Sequence, residues 1–133
     1  MTTVVAQPQT ATAPFGIQLA EGETYLCGLI DANGDTVHTV LLPGDSDRAS
    51  HKKQLEWAQS IGGDLPNRIE QAVMKAKFSD RFEPAGYWSN ETCDWDSAYA
   101  WYQDFNDGLQ DGYRKSAALR AVAVRRFSGS VIQ

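Results

Sequence analysis

An α+β domain is the fold class that the sequence predicts, and three observations predict it. Two β-rich runs, "ETYLCGLI" and "TVHTVLLP", come first. Two segments of helical periodicity follow, "RASHKKQLEWAQSIGG" and "DLPNRIEQAVMKAKF". From Gly86 onward the chain alternates or turns. Strands, then helices, then strands is a segregated order, not an alternating βαβ one. The expected architecture is two helices packed on small antiparallel sheets. A chain of 133 residues fits one domain and buries about two-thirds of its unfolded surface. Residues 15–133 are assigned to that domain. Residues 1–14, rich in Thr, Ala, Gln and Pro, read as a flexible N-terminal arm.

The elements follow in chain order. Between the first two runs, Asn33-Gly34 predicts a tight hairpin turn in which both residues accept positive φ. Asp31, Asn33 and Asp35 also imitate the start of a calcium loop. However, the glycine is displaced from its required place, and Leu42 stands where the closing Glu belongs. In the first helix Leu55, Ala58 and Ile61 are expected inside, with Lys52, Lys53 and Glu56 in water; Gly62-Gly63 ends it. Pro66 separates the helices. Asn67 and Glu70 form a capping box for the second, whose apolar stripe is expected at Ile69, Ala72, Val73 and Ala76. "AYAWYQDF" reads as a strand with Tyr99, Trp101, Gln103 and Phe105 on one face. "NDGLQDGYRKS" reads as a turn-rich connection, and "ALRAVAVRRF" as one interior strand.

Charge is uneven. The net charge is −5, yet residues 1–47 hold no Lys or Arg and residues 112–133 hold no Asp or Glu. The acidic beginning and basic end are therefore expected to pair inside one fold. The acidic balance disfavours nucleic acid as a partner. No apolar run approaches the ~18 residues of a membrane span, and the N-terminus lacks the pattern of a secretory signal. A protein that stays in the cell where it is made is the expectation. Cys27 and Cys93 are then expected as free thiols, without zinc spacing or a paired base.

Four motifs in order, "LPNRIEQ", "GYWSNET", "AWYQDFNDG" and "RAVAVRRF", resemble a domain family of formerly unknown function. That family is shared with the C-terminal domain of the Legionella collagen-like adhesin. The match covers about half the chain, and "GGDLPNRIEQA" is similar to the members found in Mu-like phages and prophages. The resemblance implies a C-type-lectin-like fold with N- and C-terminal strands paired. It implies a phage or prophage protein in the host cytoplasm, free or incorporated into a virion. Asn90 stands where the family motif has its second Ser. The calcium-binding triplets of the lectins are absent, so calcium-dependent sugar binding is not implied.

No nucleophile, base and orienting group stand in a recognisable set, and no phosphate-cradling glycine loop or zinc pattern appears. A metal-assisted hydrolase using Asp94, Asp96, Asp104 or Asp107 is the enzymatic alternative, with Asn106 as a further oxygen ligand. The leading expectation is a non-catalytic recognition module without a cofactor. Trp88 and Trp101 are expected in the core. Trp95, Tyr102, Tyr113 and Tyr87 are expected on a recognition surface, joined by Asn90, Asp94, Asp96, Asn106, Asp107 and Arg114. That surface is placed on residues 90–97 and 106–115, taken as loops at one end of the sheet. Its partner is expected to be a virion protein, a host factor such as a defence protein, or a glycan. An oligomer is compatible with the sequence.

Overall fold

The computed structural model describes residues 11–12 and 16–128. Of the expected arm, only Ala11–Thr12 (β1) lies within them, paired antiparallel with Gln18–Leu19 (β2). The remaining elements are β3 (Thr24–Ile30), β4 (Thr36–Leu41), β5 (Ser46–Ala49), α1 (His51–Ser60) and α2 (Arg68–Phe78). After a short 3-10 turn come β6 (Gly86–Thr92), β7 (Tyr99–Asp104), β8 (Gln110–Arg114), β9 (Leu119–Ala121) and β10 (Val124–Ser128). They form a three-stranded sheet, β10-β4-β3, and a five-stranded sheet, β5-β9-β6-β7-β8. The α+β layout with two helices is thus observed. Among the described residues no helix is long and apolar enough to cross a membrane.

The first hairpin forms where expected, but its turn differs. Asp31 N–H bonds the Asp35 carbonyl at 2.8 Å, and Gly34 N–H bonds the Asp31 carbonyl at 3.0 Å. That is a three-residue loop ending in a left-handed residue, Gly34 at φ 86°. The Asp31 carboxylate selects it by accepting the N–H groups of Asn33 and Asp35, both at 2.9 Å.

The expected single terminal strand is cut in two. β9 lies between β5 and β6, while β10 pairs with β4 in the other sheet. Val122 and Ala123 carry the chain across, where Asp64 and Val124 exchange two 2.8 Å backbone bonds. Ala121 and Ala123 enter one core cluster with Trp88, Ala100, Leu65 and Ala58. Val122 and Val124 enter the other with Tyr87, Phe105, Met74 and Leu41. The apolar run is apolar on both faces because each face has its own core. Gly63 sits at this crossing, where a Cβ would come within 2.7 Å of both Leu42 Cδ1 and the Val124 carbonyl oxygen.

The last strand and the first hairpin pair as the charge split suggests, although β10 meets β4 and not β3. The ion pairs do not run directly across the ladder, because Arg125 and Arg126 oppose Val40 and Thr39. Arg125 reaches Glu23 at 2.9 Å, and Arg120 reaches Asp45 at 2.9 Å and Asp47 at 3.4 Å. Arg126 leaves the acidic beginning altogether and serves Glu70 and Asp64.

Both helix stripes are borne out in part: Ala58 is buried and Leu55 and Val73 pack against the core, and the other positions need correction. The capping box on α2 forms as read, with Asn67 and Glu70 bonded reciprocally. The face turned inward, however, is Glu70, Gln71 and Met74, while Ile69, Ala72 and Ala76 are exposed. In α1 the buried positions are His51, Gln54 and Ala58, and Ile61 is exposed past the helix end. Specific partners decide this orientation. Gln71 donates to the carbonyls of Tyr87 and Trp88, and Gln54 to those of Asp47 and Leu119. Glu70 accepts from Thr39 and from two nitrogens of Arg126. These hydrogen bonds hold Arg126 in its charged form, Glu70 contributing most and Asp64 after desolvation.

Candidate functional site

β7 is the axis of the expected surface. The segment 93–98 precedes it and the turn 105–109 follows it, so the two loops stand at opposite ends of the strand. Six extended residues separate them, about 17 Å. Asn106 and Asp107 therefore do not join Asp94, Asp96 and Trp95. The four candidate hydrolytic acids, Asp94, Asp96, Asp104 and Asp107, are divided between the two ends and cannot converge. Three of these carboxylates hold turns: Asp96 accepts Ala98 N–H, Asp104 accepts Asn106 N–H and Asp107 accepts Leu109 N–H, each near 2.9 Å. Among the described residues no group of three or more His, Cys, Asp or Glu is placed to hold a metal ion.

Within the turn-rich connection expected at residues 106–116, Gln110–Arg114 is in fact strand β8. It returns antiparallel along β7, opposing Trp101 with Gly112 and Ala100 with Tyr113. This brings Tyr113 and Arg114 back to the end that carries Trp95. It also splits the aromatics by face, since opposed residues share a side of the sheet. Trp101 and Gly112 lie on the side covered by α2. Tyr102 and Tyr113 lie on the other, with ring centroids 5.9 Å apart. Tyr102 is half-buried against the core cluster that holds Trp88 and Ala100, and Tyr113 is exposed.

Trp95 is 60% exposed. It stands edge-on to Trp101, centroids 5.3 Å apart and planes at 82°. Trp101 is not the core residue expected. It is half-buried, and the Arg68 guanidinium lies 3.5 Å over its ring. Arg68 is fixed from three sides. Its N–H bonds the Glu91 carboxylate at 2.8 Å, its Nε donates to the Gln110 side-chain oxygen at 3.0 Å, and its carbonyl accepts the Gln110 amide at 2.8 Å. Beneath Trp95 the strand carries Gly112, where a Cβ would meet Cys93 Sγ and Trp95 Cζ2 at 2.8 Å. A glycine inside a strand marks such a close approach, but in the sequence the Asp111-Gly112 pair reads as a turn. Arg68 carried no comparable signal, because its role depends on a strand 42 residues away.

Two expected site residues are structural. Asn90 lies within β6 and donates its side-chain amide to Asp64 at 2.9 Å, supporting the Arg126 network. Tyr87 is fully buried, and its hydroxyl donates to the Asp45 carboxylate at 2.5 Å. Burial first, and Asp45 second, push its pKa up to about 12. Trp88 is buried as expected, its indole N–H on the Ala49 carbonyl. His51 packs edge-on against it, and Nε2 bears the proton because its partner is the Ser89 carbonyl. Burial lowers the His51 pKa. Both cysteines are free: Cys93 is buried under Trp95, and Cys27 is half-buried on β3.

No protein-family model matches the chain, and a comparison with curated proteins finds no match.

Proposed function

We propose that this protein is a non-catalytic recognition module of the collagen-like-adhesin C-terminal-domain family, with a C-type-lectin-like fold and a phage or prophage origin. Its contact surface is the Trp95 end of the five-stranded sheet, with Tyr113 and Arg114 on the adjoining edge strand. One observation carries the reading: a large aromatic ring is held in place and left uncovered. Trp101, Arg68 and the gap over Gly112 fix Trp95, yet 60% of it faces solvent. A pre-positioned Trp loses little conformational freedom on binding, which is why such residues anchor interfaces. Tyr102 and Asn90, which are half-buried, and Asn106 and Asp107, which are exposed at the far end of β7, drop out of the surface on position and partners. The lectin-like assignment is supported by two helices, two sheets and a last strand paired with the first hairpin.

The test is capture of partners from host lysate and from purified particles by the immobilised full chain, wild type beside Trp95→Ala. Loss of specific partners in the variant, at unchanged melting temperature, is the expected result. Full retention of every partner would remove the surface from this role. Abundance in purified particles separates a virion component from an intracellular protein that binds a host factor.

A further inference from the structure

We propose that the occupant of the Trp95 surface is an acidic protein segment, whose Asp or Glu carboxylates bond the Arg68 and Arg114 guanidinium groups while an apolar neighbour covers the indole. This rests on the recognition reading above and adds the chemistry of the partner.

Strand register places both cations on the indole's side of the sheet. The Arg68 guanidinium lies 3.5 Å over Trp101, and Trp95 stands edge-on to that ring. Trp101 opposes Gly112, and Arg114 stands two residues beyond that glycine, opposite Tyr99. Arg114 therefore shares the Trp101 side, its Cα about 7–8 Å from that of Trp101. Nε of Arg68 donates to Gln110, but Nη1 and Nη2 have no partner among the described residues. There, Gln71 Oε1 alone is both buried and unpartnered, so these two nitrogens reach solvent. The Arg114 side chain is exposed and has no hydrogen bond or ion pair among those residues. It also lines a cleft of about 420 Å³ with Tyr99, Tyr113, Ser116 and Ala117, and no acid shares that lining.

The nearby acids do not take up these donors. Glu91 accepts the Arg68 N–H at the start of α2, and Asp96 accepts Ala98 N–H. Asp111 lies on the Tyr102 side and accepts the Gly112 N–H. Asp94 is exposed beside the indole, where water screens its repulsion. None of the four forms an ion pair with Arg68 or Arg114. Around the Cys93 thiol beneath the ring, Asp94 and Asp111 are offset by Arg68 and Lys115. The free donors select the occupant. An apolar segment would strip water from Nη1 and Nη2 without replacing it, which is costly. A basic segment would meet Arg68, Arg114 and Lys115. A nucleic acid or a polyuronate is charged on every unit and would also meet the seven Asp and Glu of residues 82–113. A peptide carboxylate is a single charge that fits the planar fork with two parallel hydrogen bonds. Stacking on Trp101 already holds that fork, so little order is lost on binding.

The experiment titrates the full-length protein with three pools of fluorescently labelled octapeptides. The pools carry two fixed Glu, two fixed Gln or two fixed Lys among random Ala, Leu, Phe and Ser. A ten-nucleotide single strand and an oligogalacturonate serve as polyanion comparators. The Glu pool is expected to bind about tenfold more tightly than the Gln pool, and more tightly than every other probe. Arg68→Lys keeps the charge and loses the fork. It and Arg114→Gln are each expected to weaken the Glu pool about tenfold. Trp95→Ala is expected to weaken the Glu and Gln pools alike. Arg114 has no partner to lose among the described residues, so Arg114→Gln decides the matter if Arg68→Lys melts early. Equal binding of the Glu and Gln pools overturns the proposal, as does tighter binding of the Lys pool or of either polyanion. So does Glu-pool binding that either Arg variant leaves unchanged. If lysate partners are lost with Trp95→Ala but kept by the double variant Arg68→Lys/Arg114→Gln, recognition stands and the acidic partner is removed.

Discussion

The sheet junction around Arg126 and the loop end around Trp95 both invert the usual hydrophobic pattern, with opposite consequences. At the junction, charged and amide side chains point inward. Glu70 and Gln71 are 1% exposed, while Ile69 on the same helix is 60% exposed. Nearly every inward polar atom has a partner: Arg126 alone makes four hydrogen bonds, to Glu70 twice, Asp64 and the Leu65 carbonyl. At the Trp95 end the indole rests on Trp101 and the bare strand, and 60% of it points outward uncovered. A satisfied inversion locks two sheets and a helix into one arrangement. An unsatisfied one leaves free energy available to a partner.

The largest effects should come from breaking the junction. Deleting residues 124–133 is expected to abolish cooperative unfolding, because β10 is the strand that closes the three-stranded sheet. Arg126→Ala should cost about 3 kcal/mol in chemical denaturation, since it leaves the buried Glu70 carboxylate without its counter-charge. Arg126→Lys should recover only part of that, as one ammonium cannot reproduce the planar fork. Neither substitution at Arg126 is expected to change binding of a partner at Trp95.

A smaller effect separates the regions by pH. His51 is buried beside Trp88, and its pKa in the folded protein lies below the ordinary 6.5 because burial disfavours the imidazolium. Between the depressed value and 6.5 the unfolded chain takes up a proton that the folded protein refuses. The contribution is thus fully present above pH 6.5 and is lost as pH falls through the folded pKa. Denaturation midpoints should decline on acidification through that window, and His51→Gln should flatten the decline. An unchanged slope in the variant would assign it to other groups.

The two regions were unequally legible in the sequence. The hairpin, the capping box, the Gly62 helix stop and the burial of Trp88 follow from local chemistry, and local chemistry suffices for them. The apolar stripes hold at Ala58, Leu55 and Val73, which lie in or against the core, but fail at Ile61, Ile69, Ala72 and Ala76, because the inward positions go to Gln54, Glu70 and Gln71, whose partners lie 16 to 65 residues away. Periodicity assigns such residues to solvent. The terminal run failed for a related reason: nothing local says that Ala121 and Val124 belong to different sheets. At the site, Trp95 was legible as an aromatic in a turn, whereas its company was not. Bringing Tyr113 and Arg114 back to the Trp95 end requires knowing that β8 is a strand. The Asp111-Gly112 pair argues for a turn until the indole above the glycine is seen.

That glycine offers the finest cut between ring and placement. A Cβ at position 112 would meet Cys93 Sγ and two atoms of the Trp95 ring at 2.8 to 3.3 Å. The obstructing atoms are side chains, not backbone; the Cys93 thiol is buried, but the exposed indole can move aside. Gly112→Ala should therefore lower stability by only about 1 kcal/mol, against about 3–5 kcal/mol for Trp88→Ala in the core. Partner binding should nevertheless fall almost as far as in Trp95→Ala, although the ring is still present. The exposed aromatic area is nearly the same in wild type and Gly112→Ala, so area alone predicts equal affinity for the two. A difference in affinity at nearly equal stability would assign the binding to the position in which Trp101 and the bare strand hold the indole; equal affinity would return it to the exposed surface alone.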